Sequence, residues 1–273
     1  MVARVQAEFD LPEGKSVFFA SDLHLGAPNA VASAERERAF VAWMDSVKPR
    51  AAALYLVGDV FDFWFEYQHA IPKGFARLQG RLAQWSDEGI PICLFTGNHD
   101  LWMRDYFTKE FGIQVFHKPV CHVWGGRHLV VGHGDGLGPG DNGYKLLKRV
   151  FRFQPFQTLF RWLHPDLGIG LASWLSRGSR ARTGQEDYAM SDVRKEAIYL
   201  WAEQAHAACP ADYWIFGHRH YPVKAQFDDG QGTYVNLGDW IKWRSWGELT
   251  ESGFKLKSLK LQEKSPLSTL LNI

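Results

Sequence analysis

The sequence has few cysteines and no long apolar run. Its 273 residues include three cysteines, Cys93, Cys121 and Cys209, which lie far apart in the chain. An odd number of widely spaced cysteines gives no basis for a disulfide framework and is typical of a reduced, cytoplasmic protein. No stretch reaches the ~18 apolar residues that a membrane-spanning helix needs. The first residues carry charges and lack the apolar segment of a signal peptide, so we expect a cytoplasmic chain that at most touches a membrane surface.

A large net charge of either sign is also absent. The formal net charge is +1, which argues against a nucleic-acid partner and leaves only local charge to direct binding. Apolar residues make up 46% and charged residues 22%, which argues against disorder and is typical of a globular protein. We expect residues 1–273 to form a single domain. Aromatic residues reach 15%, either because the core is rich in tryptophan or because part of the surface meets apolar substrate or lipid.

Short β-branched or aromatic runs alternate with helical patterns. Five runs predict strands at residues 17–20, 53–57, 92–95, 129–131 and 213–216. Ser33 is expected to cap a helix that ends near Val47 and carries Glu37 on its solvent face, and a second helix is expected over residues 75–88. This alternation favours a layered α/β fold. Turn residues at 228–230 and 251–253 predict antiparallel hairpins in the last third of the chain.

The segment from Tyr144 to Arg182 differs in composition from the rest of the chain. It contains eight Lys or Arg residues and one acid, Asp166, which gives it a formal charge of +7, and it is rich in Phe and Trp. We interpret residues from about 140 to 182 as short basic, aromatic helices inserted between two strands. Such helices could clamp a diphosphate and shelter acyl chains or touch a membrane, or they could only form a lid packed on its own core.

Metal-binding residue types follow each of the five predicted strands. They occur as Asp22-Leu23-His24, Gly58-Asp59-Val60-Phe61-Asp62, Gly97-Asn98-His99-Asp100, Gly132-His133-Gly134-Asp135 and Gly217-His218-Arg219-His220. One such motif is weak evidence, since a strand-end Asp commonly caps a helix and a single His is more often a hydrogen-bonded residue than a ligand. Ligands of α/β folds bind at the carboxyl ends of strands, and glycines let the backbone pack closely around an ionic site. Five motifs in succession therefore predict one metal centre.

In this order, the five motifs resemble those of the calcineurin-like metallophosphoesterase superfamily. The resemblance extends from about residue 17 to residue 240. It implies a four-layer α/β/β/α sandwich with a helical insertion, and it implies two metal ions. By motif position, one ion would be held by Asp22, His24, Asp59 and His220, and the other by Asp59, Asn98, His133 and His218. Asp59 would bridge the ions because a carboxylate has two oxygens to share.

The resemblance also implies a reaction. Mixed nitrogen and oxygen ligands suit Mn²⁺, Fe or Zn²⁺ rather than Ca²⁺. Two ions ~3.5–4 Å apart lower the pKa of a shared water, so that a bridging hydroxide attacks phosphorus without a protein nucleophile. His99 resembles the family's catalytic histidine, which stabilises or protonates the leaving oxygen. Asp62 could orient His99, or it could cap the following helix instead.

The chain more closely resembles the UDP-2,3-diacylglucosamine diphosphatase family of lipid A biosynthesis. The resemblance rests on residues 21–25, on residues 58–64, on 132–135 followed by Asp141 and Tyr144, and on the end of the insertion at Ser179-Arg180. It implies hydrolysis of UDP-2,3-diacylglucosamine to UMP and 2,3-diacylglucosamine 1-phosphate. The enzyme that it implies uses Mn²⁺ and is peripheral on the cytoplasmic face of the inner membrane. The substrate contacts that it implies are Asn98, Asp141, Tyr144, Ser179, Arg180 and His218. Many members carry Arg at the position of His99, so this residue could act as a phosphate clamp or as a general acid.

Two other functions stay open at this point. A metallophosphoesterase with the same ligands could act on a soluble phosphoester, either a nucleotide or a phosphoprotein. The fold could also serve as a metal-binding scaffold without catalysis. Scaffolds of that kind have usually lost ligands, whereas every expected ligand is present in this chain, so the scaffold is the weaker alternative.

Overall fold

The computed structural model describes residues 5–140, 142–170 and 192–259, and within them the strands pair into two six-stranded sheets. The first sheet has the order β12-β11-β2-β3-β4-β5, and the second has the order β1-β6-β7-β8-β10-β9. The strands of the first sheet are β2 Ser16–Ala20, β3 Ala51–Val57, β4 Ile92–Phe95, β5 Gln114–Phe116, β11 Ser245–Thr250 and β12 Gly253–Ser258. Those of the second sheet are β1 Val5–Phe9, β6 Val120–Trp124, β7 Arg127–Val131, β8 Tyr213–Phe216, β9 Pro222–Gln226 and β10 Thr233–Leu237.

Parallel pairing in both sheets brings the ends of the motif-bearing strands together. Strands β2, β3, β4 and β5 run parallel to one another in the first sheet, and β7, β8 and β10 run parallel in the second. The five predicted strands are all present. Two hairpins, β9–β10 and β11–β12, are antiparallel as the turn residues predicted. All five metal motifs therefore leave their sheets at carboxyl ends.

Helices cover the outer face of each sheet. The helices are α1 Ala30–Val47, α2 Ala76–Asp87, α3 Tyr106–Phe111, α4 Asn142–Phe151, α5 Gln154–Arg161 and α6 Ala197–Ala208. Helices α1 to α3 pack their apolar residues on the first sheet, and α6 packs on the second. The alternation along β2 shows why four layers form. Val17 and Phe19 lie in the core between the sheets, whereas Phe18 and Ala20 face the helices, so both faces of the strand are buried. The four-layer α/β/β/α prediction is confirmed.

Two details of the first helix differ from the prediction. Asn29 rather than Ser33 caps α1, because its side chain accepts a hydrogen bond from the backbone nitrogen of Ala32. Ser33 lies one turn inside the helix, where its hydroxyl accepts from the Gly26 nitrogen at 2.7 Å. Glu37 is buried rather than solvent-facing. Its carboxylate accepts from the first backbone nitrogens of α2, and it thereby caps the neighbouring helix.

The insertion follows β7 and is attached to the body by aromatic residues. Its described part contains α4 and α5, and residues 171–191 lie outside the described ranges. The Trp102 indole donates to the Phe151 carbonyl at 2.7 Å, and its ring centre lies 4.8 Å from that of Phe160. Phe65 contacts both rings, at 4.8 Å from Phe160 and 5.2 Å from Trp102. These contacts hold α4 and α5 against the body.

The described part of the insertion exposes many large apolar side chains. Its exposed large apolar side chains are Leu146, Leu147, Val150, Phe153, Leu159, Trp162, Leu163 and Leu167. Exposed apolar side chains in such number in so short a segment make this part of the insertion a candidate binding surface. Among the residues that the structure describes, no helix combines the length and apolarity needed to cross a membrane.

Loss of the Trp102 ring should release the insertion from the body. For Trp102→Ala we expect trypsin to cut within α4 and α5 at least about tenfold faster, because local opening becomes easier by more than ~1.4 kcal/mol. Trp162→Ala is the matched control, since this indole is 85% exposed and lies on the same insertion. Equal cleavage rates in the two variants, measured by gel densitometry, would contradict the anchoring role of Trp102.

Candidate metal centre

The backbone is strained where the metal motifs leave their strands. Asp22, His24, Asp59 and His218 adopt positive φ angles of 54°, 43°, 50° and 68°. Such conformations cost about 1–3 kcal/mol each for residues with side chains and persist only where the surrounding structure enforces them. The described chain has two other non-glycine residues of this kind, Phe75 and Arg244. The strain is thus concentrated at the predicted ligands.

Glycines allow the motif loops to approach one another closely. A methyl group on Gly217 would come within 2.5 Å of Asp22 Oδ2, and one on Gly97 would overlap the Asp59 carboxylate. Neither carboxylate can withdraw, because both are buried. The prediction that glycines let backbone pack around an ionic site is therefore supported at these two positions.

The first group of predicted ligands converges on Asp22. His220 Nε2 lies 3.3 Å from Asp22 Oδ1 and 3.2 Å from His24 Nε2. His24 Nε2 in turn lies 3.6 Å from both Asp22 Oδ1 and Asp59 Oδ2. Asp22 Oδ1 is buried and accepts no hydrogen bond within the described ranges. The four side chains could therefore direct their ligand atoms at one cation.

The second group is built around Asn98. Its amide oxygen lies 3.3 Å from His133 Nε2 and 3.1 Å from His218 Nδ1. His133 Nε2 is also 3.3 Å from Asp59 Oδ2. Asp59 Oδ2 is thus close to histidines of both groups, at 3.6 Å from His24 and 3.3 Å from His133. This is the position that a shared ligand requires.

The buried carboxylates of Asp22 and Asp59 need positive charge nearby to stay ionised. Burial alone would raise the pKa of Asp59, but His133, His99 and His24 hold that pKa well below its usual range. Burial would lower the pKa of His133, yet the charges of Asp59 and Asp22 raise it to about 10. Two buried carboxylates therefore stabilise cations around them. Clustered carboxylate and imidazole ligands of this type fit a divalent metal ion.

Several imidazoles are oriented by a second contact. His133 Nδ1 lies 2.8 Å from the Val57 carbonyl, which can only accept, so Nδ1 donates and Nε2 is left to bind. His220 Nδ1 lies 3.4 Å from Asp239 Oδ2. The Asp239 carboxylate is itself fixed by backbone nitrogens at 2.8 and 3.0 Å. Contacts of this type set which nitrogen faces the metal.

His99 and Asp62 lie beside the two groups. The backbone nitrogen of His99 donates to Asp59 Oδ1 at 2.8 Å. The His99 ring contacts Asp62 through Nδ1, at 3.1 Å from the Asp62 backbone oxygen and 3.6 Å from its carboxylate. The carboxylate oxygen Asp62 Oδ1 is also 3.6 Å from His24 Nδ1. Residues 63–75 form no α-helix, so Asp62 does not cap one. Asp62 is placed to orient both rings, and its catalytic role stays a prediction.

Two supporting residues escaped the sequence reasoning. Asp239 follows β10 as Gly238-Asp239, the same strand-end pattern as the five motifs, and this signal could have identified it. Asp100 was noted only as the last residue of its motif. Its carboxylate accepts from the backbone nitrogens of Gly97 and Val60 at 2.7 and 2.9 Å. It thereby joins the loop that carries Asn98 to the loop that carries Asp59.

The predicted substrate contacts fall into two sets. Asn98 and His218 belong to the metal groups described above. The Tyr144 hydroxyl donates to Asp135 Oδ2 at 2.5 Å, two residues beyond His133, so Tyr144 lies close to the metal loops. Asp141, Ser179 and Arg180 lie outside the described residues, and their roles stay predictions.

Comparison with known proteins identifies the family. A family model described as calcineurin-like phosphoesterase matches residues 15–222. The chain belongs to the calcineurin-like phosphoesterase family. Its members use divalent metals, and the chain is accordingly a hydrolase with a candidate metal centre in the place that the family motifs predicted.

Relatives of this phosphoesterase carry a more specific name. A protein of Porphyromonas gingivalis (strain ATCC BAA-308 / W83) named UDP-2,3-diacylglucosamine hydrolase is 34% identical over 90% of this chain and 98% of its own. A Shewanella sp. (strain W3-18-1) protein of the same name is 28% identical over 88% of this chain and 95% of its own. Among solved structures, the phosphoesterase Yfce from E. coli aligns with a TM-score of 0.45 and 16% identity, over 91% of this chain and 95% of that one.

Metal binding should stabilise the phosphoesterase through Asp59. An ion at a thousand times its Kd adds about 4 kcal/mol, so we expect Mn²⁺ to raise the Tm of chelator-treated protein by roughly 8–16 °C. In Asp59→Asn the rise should fall to less than half, because the amide leaves one neutral oxygen for two cations. Asp166→Asn, at an exposed carboxylate of the insertion, should behave as the wild type. An undiminished rise in Asp59→Asn, measured by calorimetry, would refute the shared ligand.

Proposed function

We propose that this phosphoesterase hydrolyses the diphosphate of UDP-2,3-diacylglucosamine, with UMP and 2,3-diacylglucosamine 1-phosphate as products. The observation that carries the proposal is the match to a relative named for this substrate, which spans 90% of this chain and 98% of that relative. The full set of family ligands and the basic, apolar insertion support it. The reaction would belong to lipid A biosynthesis.

We propose that two divalent cations, most simply Mn²⁺, occupy the two groups of ligands. Asp22, His24 and His220 would hold one ion, Asn98, His133 and His218 would hold the other, and Asp59 would contact both. Bound there, the ions would supply an activated water and neutralise charge that develops on the phosphate oxygens. The protein contributes the orientation of the rings through Val57, Asp239 and Asp62.

His99 is proposed to hold a phosphate oxygen rather than to protonate the leaving group. The group that departs is a phosphate monoester, which is stable as an anion because its second pKa is about 6 and so needs little protonation. The imidazole of His99 is mostly buried beside Asp59 and is fixed by Asp62. It is therefore positioned at the edge of the metal groups, where a donor can contact the substrate.

The insertion is proposed to receive the acyl chains and to bind a membrane surface. Helix α4 turns Tyr144, Lys148 and Phe151 towards the body, whereas Leu146, Leu147 and Val150 are exposed. An amphipathic helix with an apolar outer face is typical of proteins that lie on a membrane. We accordingly propose a peripheral enzyme on the cytoplasmic face of the inner membrane.

The proposed reaction is tested by the products. Mn²⁺-loaded protein with UDP-2,3-diacylglucosamine in detergent should release UMP, measured by chromatography, and Asp59→Asn should lower the rate by at least about 100-fold. Bis(4-nitrophenyl) phosphate is the control for the metal centre alone. Turnover of this diester without release of UMP would refute the substrate. It would favour the alternative, a phosphoesterase that acts on a soluble nucleotide or phosphoprotein.

The role of His99 is tested by a pair of substitutions. We expect His99→Ala to lower kcat by roughly 100-fold on the lipid substrate, and His99→Arg to recover most of that loss because Arg keeps a donor for a phosphate oxygen. The same pattern should hold for bis(4-nitrophenyl) phosphate, whose leaving group needs no proton. A loss restricted to substrates with poor leaving groups, and not recovered by Arg, would instead identify a general acid.

A further inference from the structure

A cavity of about 450 Å³ lies between helix α4 and the body, beside the metal loops. Its floor includes Thr96, which directly precedes the Gly97-Asn98 motif, and residues 133–137, which contain the His133 motif. One side wall is the connection between β5 and β6, at His117 and Lys118, and the opposite wall is α4. The cavity therefore borders the metal centre without containing Asp22, Asp59 or His220.

The walls of this cavity are strongly basic. Lys118 enters from the body, and four cationic side chains enter from α4 and its end: Lys145, Lys148, Arg149 and Arg152. An ordinary amphipathic helix turns its charges to solvent and its apolar residues inwards. Helix α4 departs from this pattern at two lysines, since Lys145 and Lys148 are half-buried while Leu146 and Leu147 are exposed. Cations gathered on the inner face repel one another unless an anion joins them.

Among the described residues that line this cavity, one is acidic. Asp135 lines it and is engaged by Lys148 Nζ at 2.5 Å and by the Tyr144 hydroxyl at 2.5 Å. The other four cations, Lys118, Lys145, Arg149 and Arg152, form no ion pair within the described ranges. In the described part of the lining, one carboxylate thus accompanies five cations, which leaves a net positive charge.

Backbone contacts fix the shape of the cavity. The Arg152 guanidinium donates to the His117 carbonyl at 2.9 Å, which ties the end of α4 to the β5–β6 connection. Lys145 Nζ donates to the Gly138 carbonyl at 2.5 Å. Carbonyl groups orient these cations without cancelling their charge. Helix α4 is therefore tied both to the β5–β6 connection and to the loop that follows His133, and Lys145 and Arg152 keep their positive charge at the cavity.

We propose that this cavity is a second anion site, which binds a phosphate group other than the scissile one. Lysine and arginine side chains that converge from two chain segments are suited to phosphate oxygens, because charge-assisted hydrogen bonds to phosphate are short and strong. The ligand is a free phosphate compound or the phosphate of a lipid headgroup, and both offer the same group to the cations. The site is additional to the proposed reaction and does not depend on the identity of its substrate.

The experiment removes two cations that contact neither Asp135 nor the metal ligands. The cavity variant carries both Lys118→Gln and Arg149→Gln. The control variant carries both Lys73→Gln and Arg104→Gln, which removes two exposed cations from elsewhere on the body. Binding of inorganic phosphate to Mn²⁺-loaded protein is measured by calorimetry. Retention on phosphatidylglycerol vesicles, with phosphatidylcholine vesicles as reference, is measured by co-sedimentation. Turnover of bis(4-nitrophenyl) phosphate reports whether the metal centre is intact, and we expect it to be unchanged in both double variants.

We expect the cavity variant to weaken binding at least about tenfold in one or both of the assays and the control variant to stay within twofold of the wild type. Weakening for inorganic phosphate alone would assign the site to a free phosphate compound. Weakening for vesicles alone would assign it to a lipid headgroup, and weakening for both would support a site that accepts either source. Equal behaviour of the two double variants in both assays would overturn the proposal, because the cavity cations would then act only as general surface charge.

Discussion

The Asp59 carboxylate is the constraint on which the rest of the site depends. One of its oxygens lies 3.3 Å from His133 and 3.6 Å from His24, while the other accepts the His99 backbone nitrogen at 2.8 Å. A buried carboxylate with so few neutral donors is stable only if positive charge surrounds it. The histidines, the metal ions that the family uses, and the close approach of Gly97 all follow from that requirement.

The fold tolerates the strained loops because the sheets that carry them are deeply buried. The four candidate ligands with positive φ each cost about 1–3 kcal/mol, which local sequence preferences would not tolerate. Packing within the four layers holds the backbone at these positions in place, because strands such as β2 are buried on both faces. Backbone contacts between loops complete the frame, as when Asp100 joins the Gly97 loop to the Val60 loop. Rigidity of the core is thus what holds the ligand atoms in place.

Helix α4 of the insertion carries cationic side chains on one face and apolar side chains on the other. The inner face of α4 presents cations to the loop of His133, and its outer face presents leucine and valine to solvent. Asp135 links the two regions, since it follows the metal loop and binds both Tyr144 and Lys148 of the helix. A lipid-linked phosphoester has the same division into a charged head and apolar chains, which is consistent with the proposed substrate.

The sequence by itself determined the five motif-bearing strands and the candidate ligands that follow them, because both are local. Strands at residues 92–95 and 213–216 follow from short apolar runs, and Asp22, Asn98 and His218 follow from motifs at strand ends. The contacts between distant segments could not be read in this way. Burial of Glu37 depends on where α2 begins, and the role of Asp239 depends on the His220 ring 19 residues earlier. Only the tertiary structure decided that Lys145 and Lys148 of α4 face the body, because helical periodicity gives two faces but does not say which one the body covers.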